Sequence, residues 1–553
     1  MPFLYKYEIT YTMLLIMKVR NIALLVLPLL LSSCKETIDL KFVPYTKYVP
    51  EQSLMRDLDN DVFYSKKETT PVTYLEDKTV NSVKELLKAN RSGKERNAMP
   101  VKGDLKLLVV PISFNDSDTG KDNPEFENNR QRKTVFIQNA FFGEDKVTNY
   151  YSVAGYYNRS SYGQLRLTGE VAPWYDVGIK SSEWKSISTS YMNASNIIAA
   201  RAVDHLKETT EINFSDYDTD GDGDIDGIYF IYDHTFNNSD TNSLFWAYTY
   251  YTFKGENGLN KTEPAVNDYS WTSVDTIIQK NNKSYSNYLI HETGHLFGLS
   301  DYYNIYSSSG DKTSNFHYQP TGCFDMMDYN IGDHCSFSKY LLNWSSPMVI
   351  KDNVNTTIEL KPFNSSGEYI LVPSKKYNNT PFSEYLLIEY FIPTELNKFS
   401  GSYLYVDKDG NEGVYEYPQY HGLKIYHVNA TLGYFKVGSN SSLIATVDDP
   451  DWKEKVGSTN VGIDYAYSNS LTDEQAHDDV PTLIHLLESS GDNTFINGIP
   501  ANNDTLFRLD DDFGITTFKD FTFDNGDKPN FTLKVKSISS KSVKIEVSKL
   551  PNS

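Results

Sequence analysis

Apolar positions are spaced differently in successive parts of this chain, and the changes divide it. The dense run Leu105-Lys-Leu-Leu-Val-Val-Pro-Ile-Ser-Phe114 predicts a buried central strand, because a half-exposed strand would alternate instead. Helical spacing follows over Thr134–Phe142, Tyr150–Tyr157 and Asn196–Leu206, and the Ser161-Tyr162-Gly163 turn leads into a strand expected over Gln164–Val171. Beyond Trp344 the texture becomes short alternating runs: Tyr369-Ile-Leu-Val-Pro, Tyr385-Leu-Leu-Ile-Glu-Tyr, Leu423–Val428, Phe531–Val535 and Ser542–Val547. The first pattern predicts an α/β (α+β) domain and the second a β-sandwich-like one. Between Lys35 and Pro100 the text is polar, with Pro44, Pro50 and Pro71 and one short helical stretch at Val83–Ala89, and it reads as a tether or a propeptide.

The amino terminus reads as an address. From Met17, Lys18 and Arg20 precede an apolar run, Ile22–Leu31, too short to span a bilayer as a mature helix, which predicts a signal peptide with its true start at Met17. The run ends in Leu31-Ser32-Ser33-Cys34, which resembles a bacterial lipobox. Cys34 would then carry diacylglycerol and begin the mature chain; the alternative is an ordinary signal peptide with an incidental cysteine. Several acyl chains give firm attachment, so the expectation is an outer-membrane or cell-surface lipoprotein, otherwise a secreted protein.

Composition narrows the chemistry. A formal charge of -21 argues against a nucleic-acid partner, because such binding draws on clustered cations. With Cys34, Cys323 and Cys335 as its only cysteines, the fold cannot rest on a disulfide framework. Cys323 and Cys335 either form one bridge or stay as two buried thiols.

The strongest chemical signal is Tyr288-Leu-Ile-His-Glu-Thr-Gly-His-Leu-Phe-Gly-Leu-Ser-Asp301. On a helix His291 and His295 lie one turn apart on one face, the spacing two imidazoles need to reach one zinc ion, with Glu292 beside them as general base. With 10 His and 73 acidic residues, about 0.02 such matches are expected by chance in a chain of this length. A catalytic zinc needs a third protein ligand and an open position for water. No Glu occurs between Thr293 and Glu359, which disfavours a ligand from a later helix. Gly298 instead allows a sharp turn that swings Asp301 back to the metal, as third ligand or as a residue orienting one. In Gly322-Cys-Phe-Asp-Met-Met-Asp-Tyr-Asn330, Met327 is placed to form the methionine turn under a metzincin site, with Met326 the neighbouring candidate and core packing the alternative. Tyr329 is a candidate oxyanion donor.

A second metal signal is Asp216-Tyr-Asp-Thr-Asp-Gly-Asp-Gly-Asp-Ile-Asp-Gly-Ile-Tyr229. Asp218, Asp220, Asp222, Asp224 and Asp226 alternate with glycines that allow a tight wrap, and calcium is their natural counter-ion. Tyr229 stands where an EF-hand would close with Glu, so a structural site is expected rather than a sensor; a solvated acidic turn is the alternative.

Taken together, these pieces resemble the immune inhibitor A family of secreted metalloproteases. The resemblance rests on Tyr156-Tyr157, Ser160-Ser161-Tyr162-Gly163, Leu167-Thr-Gly-Glu-Val171, Tyr217-Asp218, the stretch from His291 to Tyr303, Phe324-Asp-Met-Met, Glu384-Tyr-Leu-Leu-Ile-Glu389 and Gly422-Leu-Lys-Ile-Tyr-His427. It implies a metzincin-like zinc endopeptidase acting on proteins, with zinc on His291, His295 and Asp301 and Glu292 as base. Ser300 departs from the proline common in the family, and Asp328-Tyr329 replaces the small residues usual after its methionine. The expected organisation is a signal peptide over 1–33, a lipid-anchored tether or propeptide over 34–100, a catalytic domain over 101–348 and a β-rich domain over 349–553, acting as a monomer on protein or peptide substrates. A surface adhesion lipoprotein on a degenerate protease scaffold is the main rival, and a zinc amidase acting on cell-wall substrates a second. An intact Glu292 speaks against the adhesion reading, since a scaffold has no need of a base.

Overall fold

The computed structural model describes residues 42–50, 72–74, 78–92, 95–117, 129–236, 243–252, 259–278, 283–305, 318–328, 331–350, 355–398, 403–406, 412–415, 419–438, 441–471 and 480–550. The signal peptide, Cys34 and Tyr329 lie outside them.

A six-stranded sheet organises the first part. Leu165–Val171, Gly103–Ser113, Ile228–Tyr232 and Tyr269–Ser273 run parallel in that order, and Tyr248–Tyr250 closes the edge antiparallel; the short Tyr175–Asp176 pairs with the end of Gly103–Ser113. Gly103–Ser113 has neighbours on both sides and both faces covered, which its unbroken apolar text requires. Leu108, Val110 and Ile112 pack with the helix Tyr191–Thr209, while Leu105, Leu107 and Val109 pack with the helices Arg130–Phe142 and Val153–Ser160 and the histidine helix Asn287–Leu296. The result is a mixed α/β architecture.

Helix starts follow their caps more closely than their apolar spacing. The helix expected from Tyr150 begins at Val153, because Ser152 accepts from the Gly155 N–H and holds Tyr150 and Tyr151 outside the first turn. The helix expected from Asn196 already starts at Tyr191, behind a Ser190 cap.

In the second part a five-stranded sheet (Ile484–Leu487, Gly422–Asn429, Glu384–Phe391, Tyr369–Pro373, Met348–Val349) shares an apolar core with a four-stranded sheet (Thr356–Leu360, Val543–Lys549, Phe531–Ile538, Asp512–Phe513). Ile370, Val372, Leu386, Ile388, Leu423 and Ile425 point into that core. Their neighbours Tyr369, Leu371, Tyr385, Leu387, Tyr426 and Val428 point the other way, into the core that holds the histidine helix. The five-stranded sheet is therefore buried on both faces, and packing is continuous across residue 348.

Residues 78–92 and 95–100 are also built in. Val80, Val83, Leu86 and Met99 are buried in the main core, Met99 N–H donates to the Leu296 carbonyl, and Arg96 N–H donates to the Leu87 carbonyl.

Candidate metal centre

The histidine helix is held from outside by two tyrosines, with one side-chain bond of its own between them. Tyr157 Oη donates to the Ile290 carbonyl at 2.7 Å, Thr293 Oγ1 to the Leu289 carbonyl at 2.6 Å, and Tyr229 bonds the Thr293 hydroxyl. Beneath it, a Cβ on Gly294 would collide with Met327 Sδ, so the fully buried Met327 side chain lies directly against the helix backbone between the two histidines. Gly298 then turns the chain with φ 93°, a left-handed conformation that glycine adopts without penalty. A side chain there would also strike Val83 and Leu87 of the helix Val83–Ala89, which covers the turn.

This turn brings Asp301 back to the helix. Its Oδ1 lies 3.1 Å from His291 Nε2 and 3.2 Å from His295 Nε2. Each Nδ1 is engaged by a backbone carbonyl, His291 with Met326 at 2.8 Å and His295 with Leu299 at 2.9 Å. A carbonyl accepts only, so each Nδ1 carries a proton and each Nε2 is the atom turned to the shared point, where a bound metal would take the place of any second proton. Two ligand atoms on a tetrahedral zinc with bonds of about 2.0–2.1 Å lie about 3.3 Å apart, close to the spacing seen here. The donor set and its geometry fit zinc.

Electrostatics agree. Burial works against protonation of His291, yet the hydrogen bond and charge of Asp301, aided by Glu292 and the Met326 carbonyl, lift its pKa to about 9. Asp301 is buried, but the two histidines hold its carboxyl well below the usual carboxylate range. The pocket is built to retain a positive charge.

Glu292 accepts a hydrogen bond on Oε2 from Thr249 Oγ1, which sits on the edge strand Tyr248–Tyr250. Tyr251 follows, its ring edge-on to His295 at 6.4 Å and covered by the Arg96 guanidinium at 3.5 Å. Arg96 also donates to Asp268 Oδ2 at 2.7 Å and to the His295 carbonyl at 3.3 Å. Below the methionines, Asp325 accepts from the Met327 and Cys335 N–H groups, with His334 3.8 Å away. Thr249, Arg96 and Asp268 carry no signal in the sequence, since only the fold brings them here.

Cys323 and Cys335 are both buried and are not bridged to one another in this structure. Cys323 sits in a turn with φ 61° and its N–H donates to Asp328, while Cys335 caps the helix Ser336–Leu341 with its Sγ 3.9 Å from Ser338 Oγ. Each backbone is committed to its own turn.

The aspartate loop departs from a five-carboxylate cage. Asp218, Asp220 and Asp222 converge, with donor oxygens within 4.8 Å of one another, and the loop wraps Asp218 as the Asp222 and Gly223 N–H groups donate to it at 3.0 and 3.1 Å. Asp224 instead accepts from Asn97 Nδ2 at 3.0 Å, and Asp226 accepts from the N–H and hydroxyl of Thr219. Lys84, on the helix covering Gly298, pairs with Asp220. Burial, with the charges of Asp220 and Asp218, pushes the Asp226 carboxyl up to about 6.

His291, His295 and Asp301 thus form a two-histidine, one-carboxylate pocket that could hold a metal ion, on a helix beside a mostly parallel sheet. Residues 101–344 match the family model of the immune inhibitor A peptidase M6 catalytic domain, and this part of the chain belongs to that family. It is therefore a peptidase domain, of a family that implies a metal. No match to a curated protein was found.

Proposed function

We propose that the chain is an exported zinc endopeptidase with a metzincin-like catalytic domain and a β-sandwich-like second domain. The observation that carries this reading is the convergence of His291 Nε2, His295 Nε2 and Asp301 Oδ1 on one point, with Glu292 on the next position of the same helix. Bound there, zinc would polarise the scissile carbonyl and acidify the attacking water. Glu292 takes the proton from that water and passes it to the leaving amine. Thr249 restrains the Glu292 carboxylate through its Oε2, leaving Oε1 for proton transfer. Among the described residues the edge strand carrying Thr249 has a neighbour on one side only in its sheet, so it offers backbone groups to an extended peptide.

The remaining assignments rest on sequence. The lipobox at Cys34 supports a surface-tethered lipoprotein meeting protein substrates outside the cytoplasm, and Tyr329 remains the candidate oxyanion donor. Calcium on Asp218, Asp220 and Asp222 would rigidify the loop, with Asp224 and Asp226 tying it to Asn97 and Thr219.

Replacing Glu292 by Gln tests the proposal. The variant keeps its zinc and loses casein cleavage by about a hundredfold or more; full residual activity in a zinc-loaded Glu292→Gln protein refutes the assignment.

A further inference from the structure

A second constellation lies in the β-rich part, away from the histidine helix. Glu384 opens the strand Glu384–Phe391 and His427 lies on the adjacent antiparallel strand Gly422–Asn429. Their cross-strand partners are Asn429 and Leu386, so by alternation Glu384, His427 and Asn429 share one face of the sheet. Asp524 arrives from the loop preceding Phe531–Ile538 of the other sheet. One ligand atom from each of Glu384, His427 and Asp524 lies within 4.8 Å of the other two, and His427 Nε2 is 2.9 Å from Glu384 Oε1.

The surroundings favour a cation. Glu384 and His427 are largely shielded, with side-chain exposures of 3% and 14%. Phe521 and Phe523 flank the imidazole at 5.3 and 5.9 Å. Asn429 Nδ2 holds Asp524 Oδ2 at 2.8 Å, and the Asp524 and Asn525 N–H groups donate to the two Glu384 oxygens, so both carboxylates are oriented by neutral donors. Asp448 adds a third carboxyl, pushed up by burial and by Glu384 and eased by Lys376. Burial and Glu384 likewise push the Asp524 carboxyl up, against His427 and Asn429.

We propose that Glu384, His427 and Asp524 form a second metal site, for a borderline divalent ion of zinc's type. One imidazole with two carboxylates is a donor set for zinc rather than calcium, which prefers oxygen alone. Its role is structural. Among the described residues no disulfide links the two sheets, so a metal bridging them would supply that cross-link, pinning the 521–527 loop to the five-stranded sheet.

The test uses the full chain carrying His291→Ala and His295→Ala, which removes two donors from the catalytic cluster and makes the outcome independent of that assignment. After zinc loading and dialysis, metal analysis should find one zinc per chain, and zinc should raise the melting temperature. Adding His427→Ala should abolish both. Asp524→Asn, a near-isosteric change on a loop, should weaken zinc about tenfold or more without unfolding the protein. A parent variant that holds no zinc overturns the proposal, as does zinc binding unchanged by both His427→Ala and Asp524→Asn.

Discussion

Arg96 offers the sharpest test of how the histidine helix is supported. Its guanidinium and the Asp268 carboxylate are 12% and 8% exposed, and burial pushes the Asp268 carboxyl up to about 6 even with Arg96 beside it. Arg96→Met keeps the bulk of the side chain and strands the carboxylate, a change that costs about 3–5 kcal/mol when a buried pair loses one partner. The cost must depend on pH. Without Arg96 the folded-state pKa of Asp268 rises further above its unfolded value of about 3.9, so the folded variant binds the extra proton and its stability falls as pH rises. The deficit relative to wild type should therefore be largest near pH 8, about 3 kcal/mol, and shrink to about 1 kcal/mol near pH 5, where the carboxyl is neutral. Urea unfolding of both proteins at the two pH values measures this. Because Arg96 also holds the His295 carbonyl and covers Tyr251, zinc affinity should weaken in parallel. A deficit that is equal at both pH values refutes the reasoning, because it would mean that lost packing rather than a stranded charge dominates.

Three further outcomes follow from the geometry. Thr249→Val removes the donor to Glu292 and should lower kcat about tenfold, the worth of one hydrogen bond to a charged group, with zinc content unchanged; an unaltered kcat rules out the positioning role. Gly294→Ala drives a methyl into Met327 Sδ and should destabilise the fold by about 1–3 kcal/mol, read as a lower urea midpoint, whereas an unchanged midpoint would show that the methionine is free to move. His485, held neutral mainly by burial with His427 adding to the effect, has its pKa lowered to about 4. The unfolded chain takes up that proton first, so stability is lost as pH falls from about 6.5 towards 4, by about 3 kcal/mol. His485→Gln should show a smaller loss of melting temperature over the same range, and an equal loss removes His485 as the cause.

The metal cluster was legible because its spacing is local. Two histidines one turn apart and a glycine that turns the chain are properties of a few consecutive residues, and Asp301 follows from them. Thr249 and Arg96 reach the site through strand order and helix packing, which no short window encodes. The aspartate loop shows the same limit from the other side. Alternation suggested five converging carboxylates, but Asn97 and Thr219 compete for two of them, and Asn97 lies more than a hundred residues upstream of the loop. Likewise, the runs after Trp344 read as strands with one wet face. Glu384–Phe391 is buried along its whole length, because the catalytic part supplies the second cover.

That twice-covered sheet has a consequence for how the protein fails. The same backbone ladder carries the interior of the β-rich part on one face and the floor of the peptidase on the other. Losing either interior strips apolar cover from the sheet on which the other depends, so heat should melt both together, with one calorimetric peak. Such an enzyme ages as a whole: a clip in its β-rich half is felt at the histidines before any fragment is released.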